Sequence, residues 1–329
     1  MVLGRITILV LLLGAFVPGQ GQGQGQADSF SPPLASGILK SVVSLLPDWP
    51  GYGPGSNTEG KKGKPKNPEG TAVAVLPGGY LATNVHVIGR ATTINIRLND
   101  GRIMPAEIIG RDPSTDIALI KTPVDFPVPE FGPAPALGDK VCAIGNQFGL
   151  GLSVTCGVAS ALHRTGTGFN PIEDFIQTDA VVNPGGSGGA MIDAKGRLIG
   201  LVSAIFTKDS DANIGVNFAS SLKLVMRVAN DLKEFGRVQR GKPGFKVRDL
   251  SLDERLTTSG AAITFIVPEG AADSAGLQPG DVITAIGERK IYRATDVPSA
   301  AHMARPGEEL KIGFLRNGKQ ESASLKLSP

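Results

Sequence analysis

Three residues of this 329-residue chain have the types and order needed for nucleophilic acyl transfer: His86, Asp116 and Ser187. A serine hydroxyl is a weak nucleophile near neutral pH and needs a base within hydrogen-bond reach, itself oriented by an acceptor. Histidine suits the base role because its unperturbed pKa lies near pH 6.5. A carboxylate behind it fixes the imidazole tautomer and stabilises the imidazolium. Ser187 stands in Asn183-Pro184-Gly185-Gly186-Ser187-Gly188-Gly189. Glycine reaches positive φ without steric cost. Such a loop can therefore turn backbone amides, here those of Gly185 and Ser187, toward an oxyanion. Each piece alone has a plainer meaning. His86 lies between two valines and fits a structural role, and Asp112, placed before Pro113, competes with Asp116 while also suiting a turn. The combination on β-patterned sequence favours chemistry.

The elements that must position these residues are mostly strands. Gly (44) and Pro (24) make up about a fifth of the chain, and they separate short apolar runs. Strands are expected around Val73, Tyr80, Ile94, Ile117, Val141, Val154, Ile176, Ala190 and Leu198, and over residues 214–218. Ile94, Ile96 and Leu98 alternate with polar residues at the period of a half-buried strand. Asn99-Asp100-Gly101 signals a hairpin. Five prolines in residues 122–135 make a connector between two β units. Leu222, Val225, Ala229 and Leu232 recur at helical spacing, predicting a helix over residues 220–235.

The order His, Asp, Ser is that of chymotrypsin-type proteases and not of subtilisins or α/β-hydrolases. Four segments resemble the HtrA (Deg) family of serine proteases. They are Tyr80-Leu81-Ala82-Thr83-Asn84-Val85-His86-Val87, residues 112–120 around Asp116, residues 143–150, and residues 178–189 around Ser187. The resemblance implies a mainly β fold, a chymotrypsin-like pair of six-stranded β-barrels followed by a small α+β PDZ domain. It assigns the acid to Asp116. It also implies an ATP-independent endopeptidase acting on unfolded or damaged polypeptides, assembled as trimers or multiples of trimers. Two departures stand out: Gly186 occupies a position usually held by Asn, and Ala190 one usually held by Pro. Ile214, Gly215, Val216 and Asn217 resemble the substrate-binding strand beside the primary specificity pocket, with Asn217 in place of a small apolar residue.

Residues 275–283 resemble the PDZ domain of the same family, and Gly244 and Phe245 fall at its carboxylate-binding loop. There, successive amides grip a peptide C-terminus while the peptide adds a strand. Pro243 has no N–H and removes one donor. The division expected is a signal peptide over 1–27, an N-terminal segment and long surface loop over 28–70, the rest of the protease domain over 71–236 (the domain starting near 38), a linker over 237–243 and a PDZ domain over 244–329.

Arg5 followed by an apolar run over residues 6–17 reads as an export signal, or as an uncleaved membrane tether. The expected location is the periplasm. Cys142 and Cys156 flank a hairpin and suit a disulfide in an oxidising compartment; the alternative is two small core residues. The formal charge of +3 lacks the basic-aromatic stripe of a nucleic-acid binder. His163 and His302 lack metal-ligand spacing, so neither a metal nor another cofactor is expected. The expected partners are unfolded polypeptides and peptide C-termini. A non-enzymatic chaperone binding misfolded chains through the PDZ domain is the second reading.

Overall fold

The computed structural model describes residues 37–48, 69–205 and 214–329. The expected leader over 1–27 and most of the expected N-terminal segment and long surface loop over 28–70 lie outside the described residues. Two closed six-stranded barrels are followed by an open sheet. The first barrel comprises β1 (Val42–Asp48), β2 (Gly70–Leu76), β3 (Tyr80–Asn84), β4 (Thr93–Arg97), β5 (Ile103–Asp112) and β6 (Ile117–Lys121), in the order β1-β2-β3-β6-β5-β4. The second comprises β7 (Lys140–Gly145), β8 (Ser153–Arg164), β9 (Phe175–Thr178), β10 (Ala190–Asp193), β11 (Leu198–Ile205) and β12 (Asn217–Ser221), in the order β10-β11-β12-β9-β8-β7.

Burial explains why several strands are apolar without alternation. In β2, Ala72 and Ala74 fill the first barrel, while Val73 and Val75 join a second core that includes residues of both barrels. In β6, Ala118 and Ile120 point into the first barrel and Ile117 and Leu119 into the shared core. The shared core also holds Cys142, Ile144, Ala190 and Ile192 of the second barrel. In contrast, β4 buries Ile94 and Ile96 and leaves its other positions partly or fully exposed.

Among the described residues of the protease region, the long helix is α2 (Leu222–Phe235), and a single-turn helix α1 (Val85–Ile88) follows β3. Leu224, Val225, Val228, Ala229 and Leu232 are buried on one stripe. That stripe packs on β5 and β6 of one barrel and β11 and β12 of the other. Ser221 caps the helix by accepting the Leu224 amide, and Gly236 ends it at φ 67. The structural strand near the expected specificity segment begins at Asn217 and not at Ile214. Gly215 has φ 79, which takes it out of the strand conformation.

The third unit has β13 (Phe245–Asp249), β14 (Ala261–Ile266), β15 (Val282–Ile286), β16 (Arg289–Lys290), β17 (Glu309–Arg316) and β18 (Lys319–Lys326). Its helices are α3 (Leu252–Arg255), α4 (Ala271–Ser274) and α5 (Asp296–Ala301). The path β13-β14-β15-β17-β18 leaves β13 at an edge, and Ile263, Ile283, Ile312, Phe314 and Leu325 lie in a separate core.

Candidate active site

Asp116 occupies the tight turn between β5 and β6 with φ 59, a conformation that carboxamide and carboxylate side chains tolerate better than most. Its backbone carbonyl accepts the Val85 amide at 3.1 Å and the Asn84 side chain at 3.0 Å. Both carboxylate oxygens face His86, which sits on α1. Oδ1 accepts the His86 backbone amide at 2.9 Å, and Oδ2 lies 2.5 Å from Nδ1. An ionised carboxylate only accepts, so this contact places the proton of a neutral imidazole on Nδ1. Nε2 is then a free base. The His86 side chain is 51% exposed and that of Asp116 only 14%, so the carboxylate is the sheltered partner.

Ser187 opens on the same cleft, a cavity of about 460 Å³ also lined by Phe169, Asn170, Val182, Asn183, Pro184 and Ser203. Its hydroxyl donates to the Ser203 carbonyl at 3.2 Å. Hydrogen bonds of a nucleophile to its base are often long or poorly aligned before substrate binds. Among the described residues, the Gly185 and Ser187 amides have no protein acceptor. Gly185 has φ 94, and a Cβ there would stand 2.3 Å from the Asn146 carbonyl. The site thus brings a hydroxyl and an oriented imidazole to one cleft, two of the parts required for acyl transfer.

Asp112 has another task. It is buried, accepts the Thr115 hydroxyl at 2.6 Å and pairs with Arg240 of the segment leading to the third unit. The cleft walls named above do not include Ile214, Gly215, Val216 or Asn217. Ile214 is exposed and Asn217 fully buried. Cys142 and Cys156 lie directly opposite on β7 and β8 and are joined by a disulfide. Gly244 has φ 78, and its carbonyl accepts the Val267 amide, while Phe245 begins β13.

Sequence reasoning missed the acidic pair Glu173-Asp174, whose only sequence signal is two acids directly before an apolar strand. The buried Glu173 carboxylate receives the Thr167, Phe169 and Asn170 amides at 2.7 to 3.0 Å and so shapes one wall of the cleft. Asp174 binds His163 at 2.8 Å, Ser221 at 2.7 Å and Arg289 of the third unit at 3.1 Å. Burial pushes the Asp174 carboxyl up, but His163, Arg289 and Ser221 together hold it below the usual carboxylate range. His163 therefore has a carboxylate partner close in space that its sequence neighbours did not reveal. Two further bonds tie α5 to this wall: Thr165 donates to Asp296 at 2.6 Å, and Ser299 donates to the Glu173 carbonyl at 2.5 Å. Among the described residues, no cluster of three or more metal-ligating side chains exists.

Two closed barrels with a His–Asp pair and a serine at one cleft, followed by a sheet domain, define a trypsin-like peptidase carrying a PDZ domain. The family models agree. A trypsin-like peptidase domain matches residues 70–201, and a PDZ domain matches residues 214–327. The chain is 33% identical over 332 residues to the periplasmic pH-dependent serine endoprotease DegQ of Escherichia coli K12, covering 93% of this chain and 71% of the relative. It is 38% identical over 258 residues to the periplasmic serine endoprotease DegP of the same strain, covering 76% of this chain and 54% of the relative. The alignment thus spans about half the length of DegP. The solved structure of the HtrA-type protease AlgW with a tripeptide superposes with TM-score 0.71 at 36% identity, covering 91% of this chain and 97% of that one. The chain belongs to the HtrA/Deg family of serine proteases.

Proposed function

We propose that this protein is an exported, ATP-independent serine endopeptidase that cleaves unfolded or damaged polypeptides, with Ser187 as nucleophile, His86 as general base and Asp116 as its orienting acceptor. The observation that carries this reading is the 2.5 Å contact between His86 Nδ1 and Asp116 Oδ2 at the cleft that Ser187 lines. For reaction, the Ser187 hydroxyl leaves the Ser203 carbonyl and turns to His86 Nε2. Nε2 takes its proton as Oγ attacks the scissile carbonyl carbon. The carbonyl π electrons move to oxygen, and the Gly185 and Ser187 amides receive the oxyanion. Collapse of the tetrahedral intermediate expels the amine, which takes the proton from His86. Water, deprotonated by the same imidazole, then releases the acyl group and restores the serine.

The open edge of β13 supports peptide recognition by strand addition, with Gly244 and Phe245 at the carboxylate end. Ile214, Gly215, Val216 and Asn217 are proposed to border the bound substrate strand. The relatives DegP and DegQ are periplasmic by name, which supports export by the apolar leader to the same compartment. A homo-oligomer of trimeric symmetry is the proposed assembly. Incubation with a reduced, unfolded protein substrate tests the central reading: cleavage is expected from the unaltered protein and not from Ser187→Ala. Suppression of aggregation without cleavage by either form would replace it with the chaperone reading.

A further inference from the structure

The loop around Ser187 contains four glycines between residues 183 and 189, yet it is held throughout. Every carbonyl from Asn183 to Ser187 has a donor. Asn183 accepts from the Gly186 amide at 2.9 Å, Pro184 from Phe148 at 2.7 Å, Gly186 from Gly189 at 3.0 Å and Ser187 from Thr71 at 3.0 Å. The Gly185 carbonyl accepts from a side chain, the Thr71 hydroxyl, at 2.7 Å. Thr71 alone therefore supplies two of the five donors, and its hydroxyl is the one side-chain donor in the set.

The direction of that bond is fixed. Thr71 Oγ1 also accepts the Asn146 amide at 2.9 Å, which leaves its single proton for Gly185. Thr71 is fully buried on β2, and its own carbonyl accepts the Thr83 hydroxyl of β3 at 2.7 Å. The first barrel thus grips the nucleophile loop of the second. The grip falls on a sensitive place. The Gly185 amide lies in the peptide plane whose carbonyl Phe148 holds, and the next plane, whose carbonyl Thr71 holds, sets the path from Gly185 on to Ser187. Gly186 has no side chain to restrict it, so the orientation of the plane after Gly185 depends on its two hydrogen bonds, from Thr71 at the carbonyl and to Asn183 at the amide.

We propose that Thr71 is a positioning residue for the anion-binding loop: its hydroxyl fixes the Gly185–Gly186 peptide plane so that the Gly185 and Ser187 amides converge on the oxyanion. The proposal rests on the reading of those two amides as oxyanion donors.

Thr71→Val removes the hydroxyl and keeps the shape, whereas Thr71→Ser keeps the hydroxyl. The full chain is assayed with a chromogenic peptide, with a peptide aldehyde whose serine hemiacetal carries the oxyanion, and by hydrogen exchange of residues 183–189. For Thr71→Val, kcat is expected to fall roughly 10- to 100-fold with KM within about threefold, less than the full loss of an oxyanion donor. Aldehyde affinity should fall in step with kcat. Exchange in residues 183–189 should accelerate locally, and Thr71→Ser should restore all three measurements. Unchanged kcat and exchange in Thr71→Val, acceleration spread over the whole chain, or failure of Thr71→Ser to rescue would overturn the proposal. Should Thr71→Val not fold, as judged by circular dichroism, Thr71→Ala takes its place with the same expectations. If the unaltered protein cleaves nothing, the protease reading fails on its own. The exchange comparison then still decides whether Thr71 holds the loop, and an unchanged loop rejects the proposal.

Discussion

His86 and Asp116 show how much of this site depends on one carboxylate. Its two oxygens bind the backbone and the ring of the same histidine, so it sets both the position and the tautomer of that imidazole. Asp116→Asn would offer an N–H where the imidazole needs an acceptor. The expected result is a fall in kcat of about 10⁴-fold with the fold intact, as for the equivalent change in a serine-protease triad; steady-state kinetics with a peptide substrate check it. Gly185 is the second sensitive residue. A methyl at this position meets the Asn146 carbonyl at 2.3 Å on a backbone already at φ 94. Gly185→Ala is expected to lose measurable turnover by displacing the amide from the cleft, while its melting temperature shifts by only a few degrees.

Among the elements, the hairpin of β7 and β8 and the helix α2 carry stability that can be separated from chemistry. The Cys142–Cys156 disulfide joins residues 14 positions apart on strands that are already paired. Replacing both cysteines by alanine is expected to lower stability by about 2 to 3 kcal/mol, the range for loops of this length, as read by denaturant titration in non-reducing buffer. Ser221 serves two elements at once. It caps α2 through the Leu224 amide and donates to Asp174 at 2.7 Å. Ser221→Ala removes a cap and leaves Asp174 with one donor fewer, and a loss of about 1 to 3 kcal/mol is expected.

At the scale of the whole molecule, the PDZ domain is pinned to the protease by charged and polar contacts around α2 and the linker. Asp231, buried on α2, binds Arg305 of the PDZ domain at 2.6 Å and the Gln239 amide at 2.7 Å, and pairs with Arg227. Nearby, His302 has a buried Nδ1 without a hydrogen-bond partner. Burial lowers its pKa, and the Arg240 charge lowers it further, against a smaller opposing effect of Asp112. The folded pKa lies below the ordinary value of about 6.5, so the unfolded chain binds the proton more readily. The stability linked to this residue is fully present above that pH and declines as pH drops toward the folded pKa. His302→Gln should flatten the stability–pH profile just below about pH 6.5. Asp174, whose pKa is depressed, acts in a lower window, where its contribution is lost as pH falls below about 4. Equilibrium unfolding across this pH range separates the two.

The chain order of His86, Asp116 and Ser187, the glycines beside Ser187 and the alternation in β4 were legible in the sequence, because local spacing and backbone demands leave marks on adjacent residues. So was α2, since one buried stripe repeats every three to four positions. The leader and the long surface loop before residue 70 are readings that only the sequence supplies. Tertiary structure alone decided which side chains meet across distant elements. Thr71 reaches Gly185 across 114 positions, and Ser299 reaches Glu173 across 126, with nothing beside either residue to announce it. Strand pairing and barrel closure create these contacts, and a hydrogen bond needs only two groups brought within about 3 Å, whatever their separation along the chain.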